Sequence, residues 1–93
     1  MGTKVIIARR AKRDLQRVPT HIADKLDQWV ETVEEEGIHS VRKRPGYHDE
    51  PLSGRREGQR SIRLSKAYRA IYEVKNDGQV EFLSVEEVNK HDY

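Results

Sequence analysis

The 93-residue sequence contains no cysteine, which excludes disulfide staples and a thiolate zinc site. No stretch approaches the ~20 apolar residues that a membrane-spanning helix needs. The opening "MGTKVIIARRAKRDL" places a short apolar run ahead of its cations, the reverse order of a secretory signal. Apolar residues are scarce: 34% of the chain is hydrophobic and 37% is charged. A single modest core under a densely ionic surface follows. Charge of one sign is not in large excess either. A net charge of +2 and an isoelectric point near 9.0 are too mild to establish nucleic-acid binding on their own. These bounds predict one cytosolic domain over residues 1–93, without a membrane partner.

The patterning supplies the elements. "TKVIIA", Thr3 to Ala8, is a β-branched run and reads as a buried strand. Ala11, Leu15 and Val18 then recur at helical spacing, predicting a short basic helix from Arg9 to Val18 that Pro19 ends. Thr20 is placed to cap a second helix, whose stripe is Ile22, Leu26, Trp29, Val30 and Val33, and Gly37 supplies its stop. Ile38 to Glu57 is irregular, with room for one short extended piece. Strand patterns fill Gln59 to Leu64, Tyr68 to Lys75 and Gln79 to Val85, with a hairpin turn at Asn76 to Gly78. The expected fold is α+β in the order β-α-α-β-β-β: a mainly antiparallel twisted sheet with a helical hairpin packed on one face.

The strand pattern "RSIRLSKAYRAIYEV" carries Arg60, Arg63, Lys66 and Arg69. Side chains alternate across a sheet. If Ile62, Leu64, Ala70 and Tyr72 face the helices, Arg63 and Arg69 emerge together on the opposite face. Two guanidiniums on neighbouring strands repel unless an anion bridges them. Glu73 is one candidate for that anion. A bound phosphate is the other, because the guanidinium fork matches phosphate oxygens. Arg42, Lys43 and Arg44 in the irregular segment, and Arg55 and Arg56 after Gly54, extend the basic surface, while acidic residues gather on the second helix.

The remaining chemistry lies in "HDE" (His48 to Glu50) and in the terminal "HDY" (His91 to Tyr93). Neither has the spacing of a metal site on a helix, and "SIRLS" lacks the glycine elbow of a serine hydrolase. Phosphodiester cleavage without a metal or other cofactor fits better. RNA brings its own nucleophile, the 2′-hydroxyl. The protein must supply a base, cations for the charged phosphorane and an acid for the leaving 5′-oxygen. Arg63 and Arg69 can be the cations, Glu50 or a histidine the base, and His91 or Tyr93 the acid. His48, Arg42, Lys43, Arg44, Arg55, Arg56 and Arg60 are candidates for substrate binding.

The stretch "EPLSGRREGQRSIRLSKAYRAIYEV", Glu50 to Val74, resembles the RelE/ParE toxin superfamily, in its YoeB- and HigB-like branch. The detailed likeness covers Tyr47 to Tyr93. It implies an mRNA endoribonuclease that acts in the ribosomal A site and is held inactive by a cognate antitoxin. Glu50 resembles the YoeB-type general base. Arg69 matches the strand arginine that contacts the phosphate, and Arg63 the arginine one strand earlier. His91 and Tyr93 resemble a terminal His-Tyr pair, here separated by Asp92. Ser53 stands where HigB-like toxins place a lysine, and Arg60 replaces the tryptophan before "SIR". Two other readings stand beside this one: a ParE-like inhibitor of DNA gyrase and a non-catalytic RNA- or protein-binding module.

Overall fold

The computed structural model describes residues 3–88. Strand β1 (Val5–Ile7) leads into helix α1 (Arg9–Leu15), helix α2 (Thr20–Glu36) and the single turn α3 (Ile38–Val41). A two-residue strand β2 (Glu50–Pro51) follows, then β3 (Gln59–Arg63), β4 (Tyr68–Val74) and β5 (Val80–Glu87). The sheet order is β1-β5-β4-β3-β2. β1 runs parallel to β5, and every other pair is antiparallel. The expected order is met, with β2 as the short extended piece inside the irregular segment.

Local chemistry accounts for the boundaries, with two departures from expectation. α1 stops at Leu15, and the next two N–H groups fold back on Arg13 and Asp14 in i→i+3 bonds that prepare the chain for Pro19. Pro19 itself, not Thr20, occupies the cap position of α2: its carbonyl accepts from Ile22 and Ala23, and no side-chain cap forms. Gly37 ends α2 as expected, at φ 89°, a backbone region that favours glycine. The β4–β5 hairpin closes through Asn76 to Gly78, with the Gln79 N–H donating to the Asp77 carboxylate.

The helices pack on one face. Ile22, Leu26, Trp29 and Val33 of α2 meet Ile62, Ala70, Tyr72, Val80 and Phe82 of the sheet, all fully buried. Trp29 lies edge-on to Phe82 at 4.9 Å and tilted against Tyr72 at 5.2 Å between ring centroids. Such contacts add to the area burial that drives the packing. Leu15 is partly buried and packs against the margin of this core.

β5 departs from simple alternation. Tyr72 pairs with Phe82 but Ile71 pairs with Ser84, so Leu83 is an extra residue, a β-bulge. Val80 and Phe82 face the helices, and beyond the bulge so does Val85. Ser84 and Glu86 therefore turn to the second face, away from the helices. Val85 N–H, past the end of β1, donates instead to Asp14 of α1 at 3.0 Å.

Phe82→Ala should destabilise the fold by about 3–5 kcal/mol, since it empties the aromatic cluster. Leu83→Ala, on the partly buried bulge residue, should cost less than half as much. Urea unfolding of both variants reads the difference, and a larger loss at Leu83 would contradict this placement.

Candidate functional site

The second face of the sheet carries the candidate chemistry. Its cross-strand rows are Glu50–Ser61–Ile71–Ser84 and Arg63–Arg69–Glu86. Arg63 and Arg69 are directly opposite each other, an arrangement of like charges that costs free energy unless it is compensated. A groove of about 390 Å³ opens over this face, lined by His48, Glu50, Ser61, Arg63, Lys66 and Arg69 among others. Five of the residues singled out in the sequence thus converge: His48, Glu50, Arg63, Lys66 and Arg69. His91 and Tyr93 lie outside the described residues.

The compensating anion is Glu86, not Glu73. Glu73 lies 3.7 Å from Lys75 at the far end of the hairpin. Glu86 Oε1 accepts from Arg69 Nη2 at 3.1 Å. Arg56 grips the same carboxylate with both terminal nitrogens, at 3.0 and 2.8 Å. Ser84 Oγ donates to Oε2 at 3.2 Å. Burial pushes the Glu86 carboxyl up, but the hydrogen bonds from Arg56 and Arg69 outweigh it and hold the group below the usual carboxylate range. Arg63 is exposed and, among the described residues, makes no ion pair.

Glu50 reaches the groove because its neighbour is anchored on the other side. The Asp49 side chain is only 1% exposed. It accepts from Arg60 Nε and from the Tyr72 hydroxyl. Burial and the bond to Asp49 drive the Tyr72 phenol far above its ordinary value, so it stays a neutral donor. His48 before it is the one non-glycine among the described residues with left-handed backbone (φ 47°, ψ 50°). That turn carries the chain into β2 with Asp49 inward and Glu50 beside Ser61 on the groove face.

The other basic candidates separate from the groove. Arg60 belongs to the Asp49 cluster and, with His39, Arg42 and Lys43, lines a distinct cleft of about 370 Å³. Arg44 Nη2 donates to both oxygens of Glu36, at 2.6 and 2.7 Å, at the end of α2. Arg55 is exposed in the turn Gly54–Arg56, from which Arg56 reaches Glu86. Among the described residues no three histidines or carboxylates converge as a metal site. No described helix is long and apolar enough to cross a membrane.

Sequence reasoning missed Asp49 and Glu86. For Glu86 a signal existed: the apolar residues of β5 fall at Val80, Phe82, Leu83 and Val85, and the adjacent pair Phe82–Leu83 breaks the alternation, the mark of an inserted residue. For Asp49 none did, because "HDE" reads as three equivalent polar residues.

A family model described as ParE toxin of type II toxin-antitoxin system, parDE, matches residues 5–88. No curated protein matches the chain. Among solved structures, the archaeal RelE–RelB complex from Pyrococcus horikoshii OT3 is similar at TM-score 0.75 and 22% identity, over 97% of this chain and 99% of that one. The YoeB dimer from Staphylococcus aureus gives 0.71 and 16%, over 96% and 100%. YafQ from E. coli strain BL21(DE3) gives 0.73 and 14%, over 91% and 92%. At these identities the likeness is one of fold.

Asp49→Ala leaves the buried Tyr72 hydroxyl without its acceptor and the partly exposed Arg60 guanidinium without its partner, and should cost about 1–3 kcal/mol in chemical denaturation. A loss under ~1 kcal/mol would show the cluster to be solvated. Glu86 gives a pH signature. Its folded pKa is depressed, so its contribution is complete above the ordinary glutamate value of about 4.3 and is lost as pH falls through the lower folded value. Wild-type stability should therefore fall more steeply below about pH 4.3 than that of Glu86→Gln. Parallel curves for the two proteins would contradict the assignment.

Proposed function

The chain belongs to the ParE toxin family of type II toxin–antitoxin systems, and from that premise we propose that it is an endoribonuclease that cuts mRNA in the ribosomal A site. The convergence of Glu50, Arg63 and Arg69 on one groove carries this reading. A binding module needs only the cations. A groove that also presents an exposed carboxylate beside them has the parts for proton transfer at a phosphodiester. Glu50, or His91 at the terminus, removes the proton from the 2′-hydroxyl, which attacks the adjacent phosphorus. Arg63 and Arg69 stabilise the phosphorane with guanidinium donors held at the point where charge develops. His91 or Tyr93 protonates the departing 5′-oxygen. The products are a 2′,3′-cyclic phosphate and a 5′-hydroxyl. The RNA supplies the nucleophile, so no metal enters the scheme.

His48 and Lys66 at the groove, and Arg42, Lys43 and Arg60 at the separate cleft, are assigned to phosphates of the mRNA and ribosome. Exposed Arg55 belongs to the same basic surface. Arg44, Arg56 and Arg60 contribute less, since each already holds a carboxylate. The partner that silences the protein is its antitoxin, through an acidic amphipathic segment laid over the groove. The archaeal structure of similar fold is that of a RelE–RelB complex.

A second reading has one observation in its favour: the matching family model is the ParE one. On that reading the target is DNA gyrase and the groove carboxylate does no chemistry.

Ribosomes programmed with a defined mRNA separate the two. The protein should generate new 5′ ends within the A-site codon, in the presence of a chelator. Arg69→Ala should lower the single-turnover rate about a hundredfold, the usual effect of removing one transition-state donor. Glu50→Gln should lower it roughly 10²–10⁴-fold if Glu50 is the base. Intact mRNA together with inhibited gyrase supercoiling would decide for the second reading. Full cleavage after replacement of both Arg63 and Arg69 would reject the mechanism.

A further inference from the structure

Glu86 sits behind the groove. Arg69 lines the groove and Glu86 does not. The carboxylate is saturated: Oε1 accepts from Arg56 Nη1 and Arg69 Nη2, and Oε2 from Arg56 Nη2 and Ser84 Oγ. Arg69, by contrast, spends only one terminal nitrogen on Glu86. A guanidinium has five N–H donors in a rigid planar fork. Most of the Arg69 donors are therefore uncommitted to Glu86, while one terminal nitrogen is tied to it. Arg63 stands directly opposite Arg69 and pushes it away. The exposed half of the Arg69 side chain, 40% accessible, gives it room to leave.

We propose that Glu86 is a positioning residue for the candidate phosphate-binding arginine: it acts through Arg69, holding its guanidinium over the groove against repulsion from Arg63. The inference rests on the nuclease reading for its consequence in rate. Arg56 is the second anchor of this arrangement. From the turn Gly54–Arg56 it reaches Glu86 on β5 and holds both carboxylate oxygens, so the carboxylate cannot swing into the groove as a competitor for substrate phosphate. Two alternatives are thereby distinct in their outcomes. A competing carboxylate slows the enzyme, and its removal speeds cleavage. A purely structural carboxylate affects rate only through the fraction of folded protein.

Single-turnover cleavage on programmed ribosomes, measured against protein concentration, is the test for wild type, Glu86→Gln and Glu86→Asp. Glu86→Gln should lower the limiting rate about 10–100-fold, the scale of a misplaced transition-state donor. Its half-saturating concentration should stay constant or fall, because the variant gains one unit of net positive charge toward RNA. Glu86→Asp, which keeps the charge, should recover part of the rate. A rate equal to or above wild type overturns the proposal, as does a fall fully matched by loss of folded protein. The Arg69 side-chain N–H signal in ¹⁵N NMR gives a readout that needs no cleavage. It should report an ordered guanidinium in wild type and a mobile one in Glu86→Gln. Equal order in both proteins overturns the proposal. Should the wild type cut no RNA, the nuclease reading fails while the NMR comparison still decides the positioning role.

Discussion

The extra residue at Leu83 sets the character of the second face. A strand side chain alternates between faces, so a single inserted residue exchanges the facing of everything beyond it. With Leu83 inserted between the partners of Tyr72 and Ile71, Val85 returns to the helix side and Glu86 arrives beside Arg69. Under strict alternation from Phe82, Ser84 and Glu86 would point into the core and Val85 away from it. The aromatic cluster of Trp29, Tyr72 and Phe82 holds the strand before the bulge in place. Asp14 of α1 takes the Val85 N–H after it. The same strand thus serves the core along its first half and both the core margin and the arginine row along its second.

Two carboxylates, one on each face, then determine where the arginines go. Asp49 draws Arg60 to the helix side, and Glu86 draws Arg56 and Arg69 together on the other. Both anions are largely removed from water, where a lone charge is costly and a paired one is held firmly. A basic surface that reads as continuous along the chain is in this way divided into an edge cleft and a groove. Asp49 has a further effect through the backbone. Anchoring it inward leaves His48 and Glu50, its neighbours on either side, on the groove.

Much of the fold was legible because its signals are local or periodic. The stripe of α2 identified Ile22, Leu26, Trp29 and Val33 as buried, and the turn Asn76 to Gly78 located the last hairpin. Alternation in "SIRLS" and "YRAIY" correctly placed Arg63 and Arg69 side by side. Glu73, on the same strand as Arg69, was one candidate for the compensating anion beside a bound phosphate, but it lies with Lys75 at the far end of the hairpin, and Arg69 pairs with Glu86. Glu86 lies one strand further along, across a hydrogen-bonded register that includes a bulge. The expected cap at Thr20 failed for a simpler reason: the carbonyl of Pro19 already occupies the first helical acceptor position.

The sequence by itself determined the identity of the elements, the buried stripe, the pairing of Arg63 with Arg69 and the family likeness carried by Glu50 to Val74. These depend on residues within a few positions of one another, where helical and strand periodicity translate directly into geometry. Only the tertiary structure decided which carboxylate meets which arginine, that Asp49 turns inward while Glu50 turns outward, and that Arg42, Lys43 and Arg60 gather apart from the groove. Those choices are made by packing between segments far apart in the chain, with Arg56 and Glu86 thirty residues from each other. Charged side chains of one type are interchangeable in a pattern. They become distinct only when burial makes an unpaired charge costly and the sheet register leaves a particular partner within reach.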